Sequence, residues 1–117
     1  MSEESRPFRV RFIDSKLFES FEKLELGKSE ERKLAENIAV AIAELKKNAS
    51  CGVKIPKRLW PAEYVRKYGV TNLRKYNLPD GWRLIYTIVG SEVEIISVIL
   101  EWFDHKDYAK RFGYKKR

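Results

Sequence analysis

From Pro7 to Ile13 the chain alternates, with Phe8, Val10 and Phe12 set against Arg9, Arg11 and Ile13. A period of two is a strand, and this strand carries a basic face. The spacing then lengthens. Leu17, Phe18, Phe21 and Leu24 recur on one helical stripe, with Asp14 or Ser15 ahead as cap and Gly27 as stop, so the pattern predicts a helix to about Leu26. A second stripe follows in Leu34, Ile38, Ile42 and Leu45. Ser29 as cap, with Glu30 and Glu31 beside the positive end of the dipole, predicts a longer helix from Glu30 to about Asn48. Only the Gly27–Ser29 link separates the two, so they form a helical hairpin.

The next stretch is irregular. Val53–Ile55 is extended until Pro56 interrupts it, and Pro61 opens a short helix, Ala62–Tyr68, that Gly69 ends. Leu73, Tyr76 and Leu78 suggest a strand, and Pro79–Asp80–Gly81 a turn. Trp82–Val89 reads as a strand with Trp82, Leu84, Tyr86 and Ile88 on one face, and Gly90–Ser91 as a tight hairpin turn. The strand after it, Val93–Trp102, is almost continuously apolar, as a central strand buried on both faces would be. Asp104 caps a last helix through Arg111, ahead of the basic tail Lys115–Lys116–Arg117. The predicted class is α+β: an N-terminal strand, a helical hairpin, a three-stranded antiparallel meander and a C-terminal helix. With 117 residues and no repeat, low-complexity tract or Gly/Ser linker, residues 1–117 are expected to form one domain.

Composition narrows the class. At 44% hydrophobic and 13% aromatic, the chain has the material for a core, which excludes disorder for its bulk. It has no apolar run of about 18 residues, so no membrane span is expected. MSEESRPFRVRF carries acids where an export signal would be basic and then apolar, so the expected compartment is cytoplasmic. A single cysteine, Cys51, excludes an internal disulfide framework and a multi-cysteine zinc site. Glutamine is absent and Glu and Lys dominate the polar set, a pattern of thermophilic proteins. Charge changes the picture most. The net is +7, yet residues 1–50 hold 10 basic and 10 acidic side chains, whereas residues 51–117 hold 14 and 7 together with 11 of the 15 aromatic residues. Cations interleaved with Trp and Tyr suit a polyanion, because cations neutralise phosphates and rings stack on bases. Lys54, Lys57 and Arg58, then Lys106, Lys110, Arg111, Lys115 and Lys116, with Arg74 between the two groups, are the candidate RNA-binding residues. Trp60, beside Lys57 and Arg58, is a candidate for base stacking.

The segment Gly81–Val98, GWRLIYTIVGSEVEIISV, with His105–Lys106–Asp107–Tyr108 after it, resembles the RelE/ParE toxin superfamily. That likeness covers residues 73–108 in motif and the β-α-α-β-β-β order in outline; the 53–68 insertion has no counterpart in it. It implies a small toxin of a toxin–antitoxin pair. RelE-like members cut messenger RNA in the ribosome, whereas the ParE-like branch inhibits gyrase. The implied cleavage is metal-independent attack of a 2′-hydroxyl on the neighbouring phosphate, which needs a base, an acid and cations around the phosphorane. Carried over, Arg83 is the strand arginine that stabilises the phosphate, since a guanidinium grips two oxygens at once. Lys75 is a basic residue of the preceding strand, and His105 and Tyr108 are the terminal pair. Asn77 and Glu101–Trp102 stand where some members carry basic residues. The resemblance also implies an acidic antitoxin segment over the basic groove.

Two functions therefore stand side by side: a ribosome-directed endoribonuclease acting through Arg83, Lys75, His105 and Tyr108, and a non-cleaving RNA or ribosome binder on the same scaffold. Other roles are open to single residues. Arg83 has Glu94 as an alternative partner across the hairpin, Tyr108 has packing, and Cys51 is a small buried group.

Overall fold

A computed structural model describes residues 4–113. Strand β1 (Phe8–Phe12) leads into helix α1 (Ser15–Glu25), which starts where the Asp14 carboxylate accepts the Leu17 N–H at 2.8 Å. Helix α2 (Ser29–Lys47) starts where the Glu31 carboxylate reaches back to the Lys28 N–H at 2.8 Å, so Ser29 is its first residue rather than its cap. A two-residue strand β2 (Val53–Lys54) and helix α3 (Ala62–Tyr68) follow, the latter ending at Gly69 with φ of 63°. Strands β3 (Arg74–Asn77), β4 (Arg83–Gly90) and β5 (Ile95–Phe103) form an antiparallel meander, and α4 (His105–Arg111) is capped by Asp104 through the Asp107 N–H.

The architecture is α+β, with one five-stranded mixed sheet ordered β1-β5-β4-β3-β2. β1 runs parallel to β5, and β2 extends the meander on its other side. Central placement of β5 explains its run of apolar residues: Ser97–Leu100 are buried, with cover on both faces. Ile38, Ala41 and Leu45 of α2 pack with Leu84, Tyr86 and Ile99 on one face.

The other face is also covered, as the apolar run of β5 implied, but by elements to which the sequence pattern assigned no such place. Ile55, Tyr64 of α3, and Tyr108 and Phe112 of α4 pack on Ile85, Val98 and Leu100 to form a second core. Residues 53–68 and α4 thus build this second layer together. The β4–β5 link also differs from the expected two-residue turn. Ser91 donates its N–H to the Glu94 carbonyl at 2.9 Å, and its Oγ accepts the Val93 and Glu94 N–H groups at 3.2 and 3.3 Å. A serine side chain closing its own turn keeps Val93 and Glu94 out of the strand.

One irregularity matters for the site. Ile85 pairs with Glu101 and Tyr86 with Ile99, so Leu100 is an extra residue in β5. Such a bulge re-aims the side chains after it. Simple alternation would send Glu101 to the hairpin face with Ile99; instead it meets Tyr64 in the second layer.

Candidate nucleic-acid interface

Within β4, Leu84 and Tyr86 face the hairpin, while Arg83 and Ile85 face α4. Arg83 is opposite Asn77 and Phe103, and Lys75 is opposite Ile85. Both cations rest on one ring: the Lys75 Nζ lies 5.0 Å and the Arg83 Cζ 5.7 Å from the Tyr108 centroid. Tyr108 is only 3% exposed and stacks on Phe112 at 4.6 Å, so its ring is a fixed floor. His105, exposed at the first position of α4, lies beside the β3–β4 turn. A Cβ added at Gly81 would stand 3.2 Å from the His105 Cβ, and Gly81 has φ of 81°, so glycine permits both the turn and this approach. The structure thus brings Arg83 and Lys75 together on Tyr108 and sets His105 beside the turn that precedes Arg83.

The alternative partner of Arg83 is elsewhere. Glu94 pairs with Arg9 at 3.4 Å, at the opposite end of the hairpin from Arg83. The Arg83 Nη1 touches the Trp82 carbonyl at 3.3 Å, and its buried Nε has no hydrogen-bond partner. Among the described residues no carboxylate forms an ion pair with Arg83. A guanidinium held over a ring without a counter-anion is poised to accept one.

Arg111 is differently placed. Its guanidinium pairs with Glu63 at 2.8 Å and with Glu101 at 3.6 Å, and sits over the Tyr64 and Phe103 rings at 5.5 and 5.9 Å. Burial alone would lower its pKa, but Glu101, Tyr64 and Glu63 more than offset this and hold it raised. Tyr64 donates its hydroxyl to Glu101, and burial first, then that hydrogen bond and charge, push its phenol well above the ordinary range. This clasp joins α3, β5 and α4. It commits the Arg111 charge internally and answers the Glu101 charge within the fold. Sequence reasoning missed the clasp because only the bulge turns Glu101 toward Tyr64, and no residue pattern announces that bulge.

The remaining candidates scatter. Arg74 donates to the Ser50 and Gly52 carbonyls at 3.1 and 2.7 Å, a bond set that ties β3 to the chain after α2. Lys54, Lys57 and Arg58 are exposed near the β2 edge, and Lys106 and Lys110 are exposed on α4. Lys115 and Lys116 lie outside the described residues. Cys51 is exposed rather than buried, and its thiol pKa is pushed up, by partial burial and then by the Glu44 charge, which disfavours the nucleophilic thiolate. Among the described residues no group of three or more His, Cys, Asp or Glu side chains is placed to hold a metal ion, and no helix is long and apolar enough to cross a membrane. No family model matches the chain, and it has no match among curated proteins or solved structures.

Proposed function

We propose that this chain is a RelE-like toxin, a metal-independent endoribonuclease that cuts messenger RNA on the ribosome. The observation that carries the reading is the pair Arg83 and Lys75 over one buried ring, with exposed His105 beside the turn that precedes Arg83. The helical hairpin on one sheet face and the β3–β4–β5 meander support the RelE-like likeness in outline, with β2, α3 and their part of the second layer as additions to it.

In this reading Arg83 takes two non-bridging oxygens of the scissile phosphate and Lys75 adds a second positive charge. The 2′-hydroxyl oxygen bonds to phosphorus as its proton leaves, the bond from phosphorus to the 5′-oxygen breaks, and that oxygen takes up a proton. The products are a 2′,3′-cyclic phosphate and a 5′-hydroxyl. His105 is the exposed imidazole beside the turn that precedes Arg83, and it takes the proton-transfer role. Tyr108 orients the cations and stays out of the proton transfer, because its ring is buried against Phe112. Glu101, answered by Tyr64 and Arg111, leaves the phosphate path to the cations. An acidic partner segment would compete with RNA for the same charges, and a cytoplasmic setting goes with the ribosomal substrate.

A second reading, a binder that does not cut, draws on two observations. Tyr108 is buried, and exposed Asn77 stands beside Arg83 where a further cation would help cleavage.

Induced expression followed by mapping of messenger ends separates the readings. The toxin is expected to arrest growth and leave 5′-hydroxyl ends on ribosome-bound messenger. Arg83→Ala should cut that cleavage about 10²–10³-fold, the usual effect of losing one preorganised donor to a developing anion. A binder gives neither arrest nor new ends. Intact messenger, with RNA binding indifferent to Arg83→Ala, contradicts both.

A further inference from the structure

A cavity of about 330 Å³ opens near the sheet edge, lined by Lys54 of β2, by Trp60, by residues 71–74 leading into β3, and by Ile88 of β4. We propose that it is a base-stacking subsite for a single-stranded RNA nucleotide neighbouring the one held at Arg83; the inference rests on the RNA reading above. Its size falls in the range of small-ligand sites. Trp60 lines it, half-buried, and the indole Nε1 donates to the Ile55 carbonyl at 2.8 Å, which fixes the ring plane. Lys54 supplies positive charge to the lining and no acidic residue contributes to it; Arg74 lines it too, with its Nη1 held by the Ser50 and Gly52 carbonyls. The contrast with the larger cavity of about 490 Å³ beside α2 is one of charge. There Trp82 is accompanied by Glu30 and Asp80 against the single cation Lys33, a net negative lining that repels a phosphate.

The polar groups of the wall also say how a base is read. Asn72 spends its amide on β4, giving a hydrogen bond to the Ile88 carbonyl and taking one from the Ile88 N–H, both at 2.8 Å. That leaves exposed Thr71 as the wall's remaining uncharged hydrogen-bonding side chain, so stacking rather than edge recognition dominates and the subsite is tolerant of base identity. The position suits a continuous strand. Lys75 of the cationic cluster follows Arg74 directly, and Val53 of β2 is paired with it. From Lys75 back to Asn72 is three residues, roughly 10 Å of extended chain, within reach of a short oligonucleotide. Exposed Lys57 and Arg58 precede Trp60 at the rim.

The test uses fluorescence anisotropy with 2′-O-methyl RNA pentanucleotides, which cannot be cut, either complete or with an abasic site at each position in turn. On the wild-type chain one abasic position should weaken binding about 5- to 150-fold, the range for one stacked base. Trp60→Leu should weaken the complete oligonucleotide to a similar extent and erase the penalty at that position. Trp60→Phe, with a smaller ring, should fall between and serves where Trp60→Leu fails to fold. Equal abasic penalties in wild type and Trp60 variants, or no abasic penalty on the wild type, overturn the subsite. If binding then still responds to Arg83→Ala, the RNA reading survives. If the wild type binds none of the oligonucleotides, both fall.

Discussion

The two faces of the sheet are built from different chemistry. Against the hairpin, Ile38, Ala41, Leu45, Leu84 and Ile99 make an apolar contact whose main polar member, the Tyr86 hydroxyl, is fully engaged: it donates to the Ala49 carbonyl at 2.6 Å and accepts the Gly52 N–H at 3.0 Å. Under α3 and α4 the apolar residues are laced with charge. Tyr64, Glu101, Glu63 and Arg111 form a clasp, and Lys75 and Arg83 lie on Tyr108. The hairpin face contributes mainly stability. The other face holds cations in place; the buried Nε atoms of Arg83 and of Arg111 both have no hydrogen-bond partner there.

This contrast can be broken most forcefully from the hairpin side. Leu45 is fully buried, so Leu45→Ala should lower unfolding free energy by about 2–5 kcal/mol in a urea titration, while cleavage per folded molecule stays constant. Arg83→Met should do the reverse. The substitution removes an unpartnered Nε–H but also the contact over Tyr108, opposing terms of about 1 kcal/mol each, so stability should change little, and cleavage should drop by the equivalent of about 2.7–4 kcal/mol in single-turnover assays.

Tyr64→Phe tests the clasp. Glu101 loses one donor but keeps Arg111, so a loss of about 1–3 kcal/mol is expected by the same titration. Alkali tests both faces together. Burial raises the phenols of Tyr64 and Tyr86, and for Tyr64 the Glu101 hydrogen bond adds to it. Unfolded phenols ionise near pH 10, so above about that value the unfolded chain sheds protons the folded chain keeps. The stability these residues contribute is present in full below pH 10 and declines as pH rises beyond it. Absorbance titration should show these two tyrosines ionising only as the chain unfolds. The smallest change is Asp14→Ala at the start of α1, expected to cost about 0.5–2 kcal/mol of stability with no effect on RNA binding.

How much of this was legible in the residues follows from the range of the interactions. The bounds of α3 were readable because Pro61 and Gly69 punctuate it locally, and the hairpin because its stripes repeat over many turns. That Arg83 faces away from the hairpin was readable from strand alternation, since Leu84 and Tyr86 take the hairpin face. The second layer was not readable: Ile55, Tyr64 and Phe112 find Ile85 only through tertiary packing. Nor was the β5 bulge, since Leu100 and Glu101 carry no turn chemistry. Without it, Glu101 would fall on the hairpin face with Ile99, whereas it is bound to Tyr64 and Arg111 on the other.

The central claim is that Arg83 and Lys75 take up RNA phosphates. Its most direct measurement is the salt dependence of oligonucleotide affinity, for wild type and for Arg83→Met. Each phosphate neutralised on a single strand contributes about −0.7 to the slope of log affinity against log salt concentration. The wild-type slope should be steep, and Arg83→Met should make it shallower by roughly that amount. A slope that is flat, or identical in the two proteins, would contradict the account.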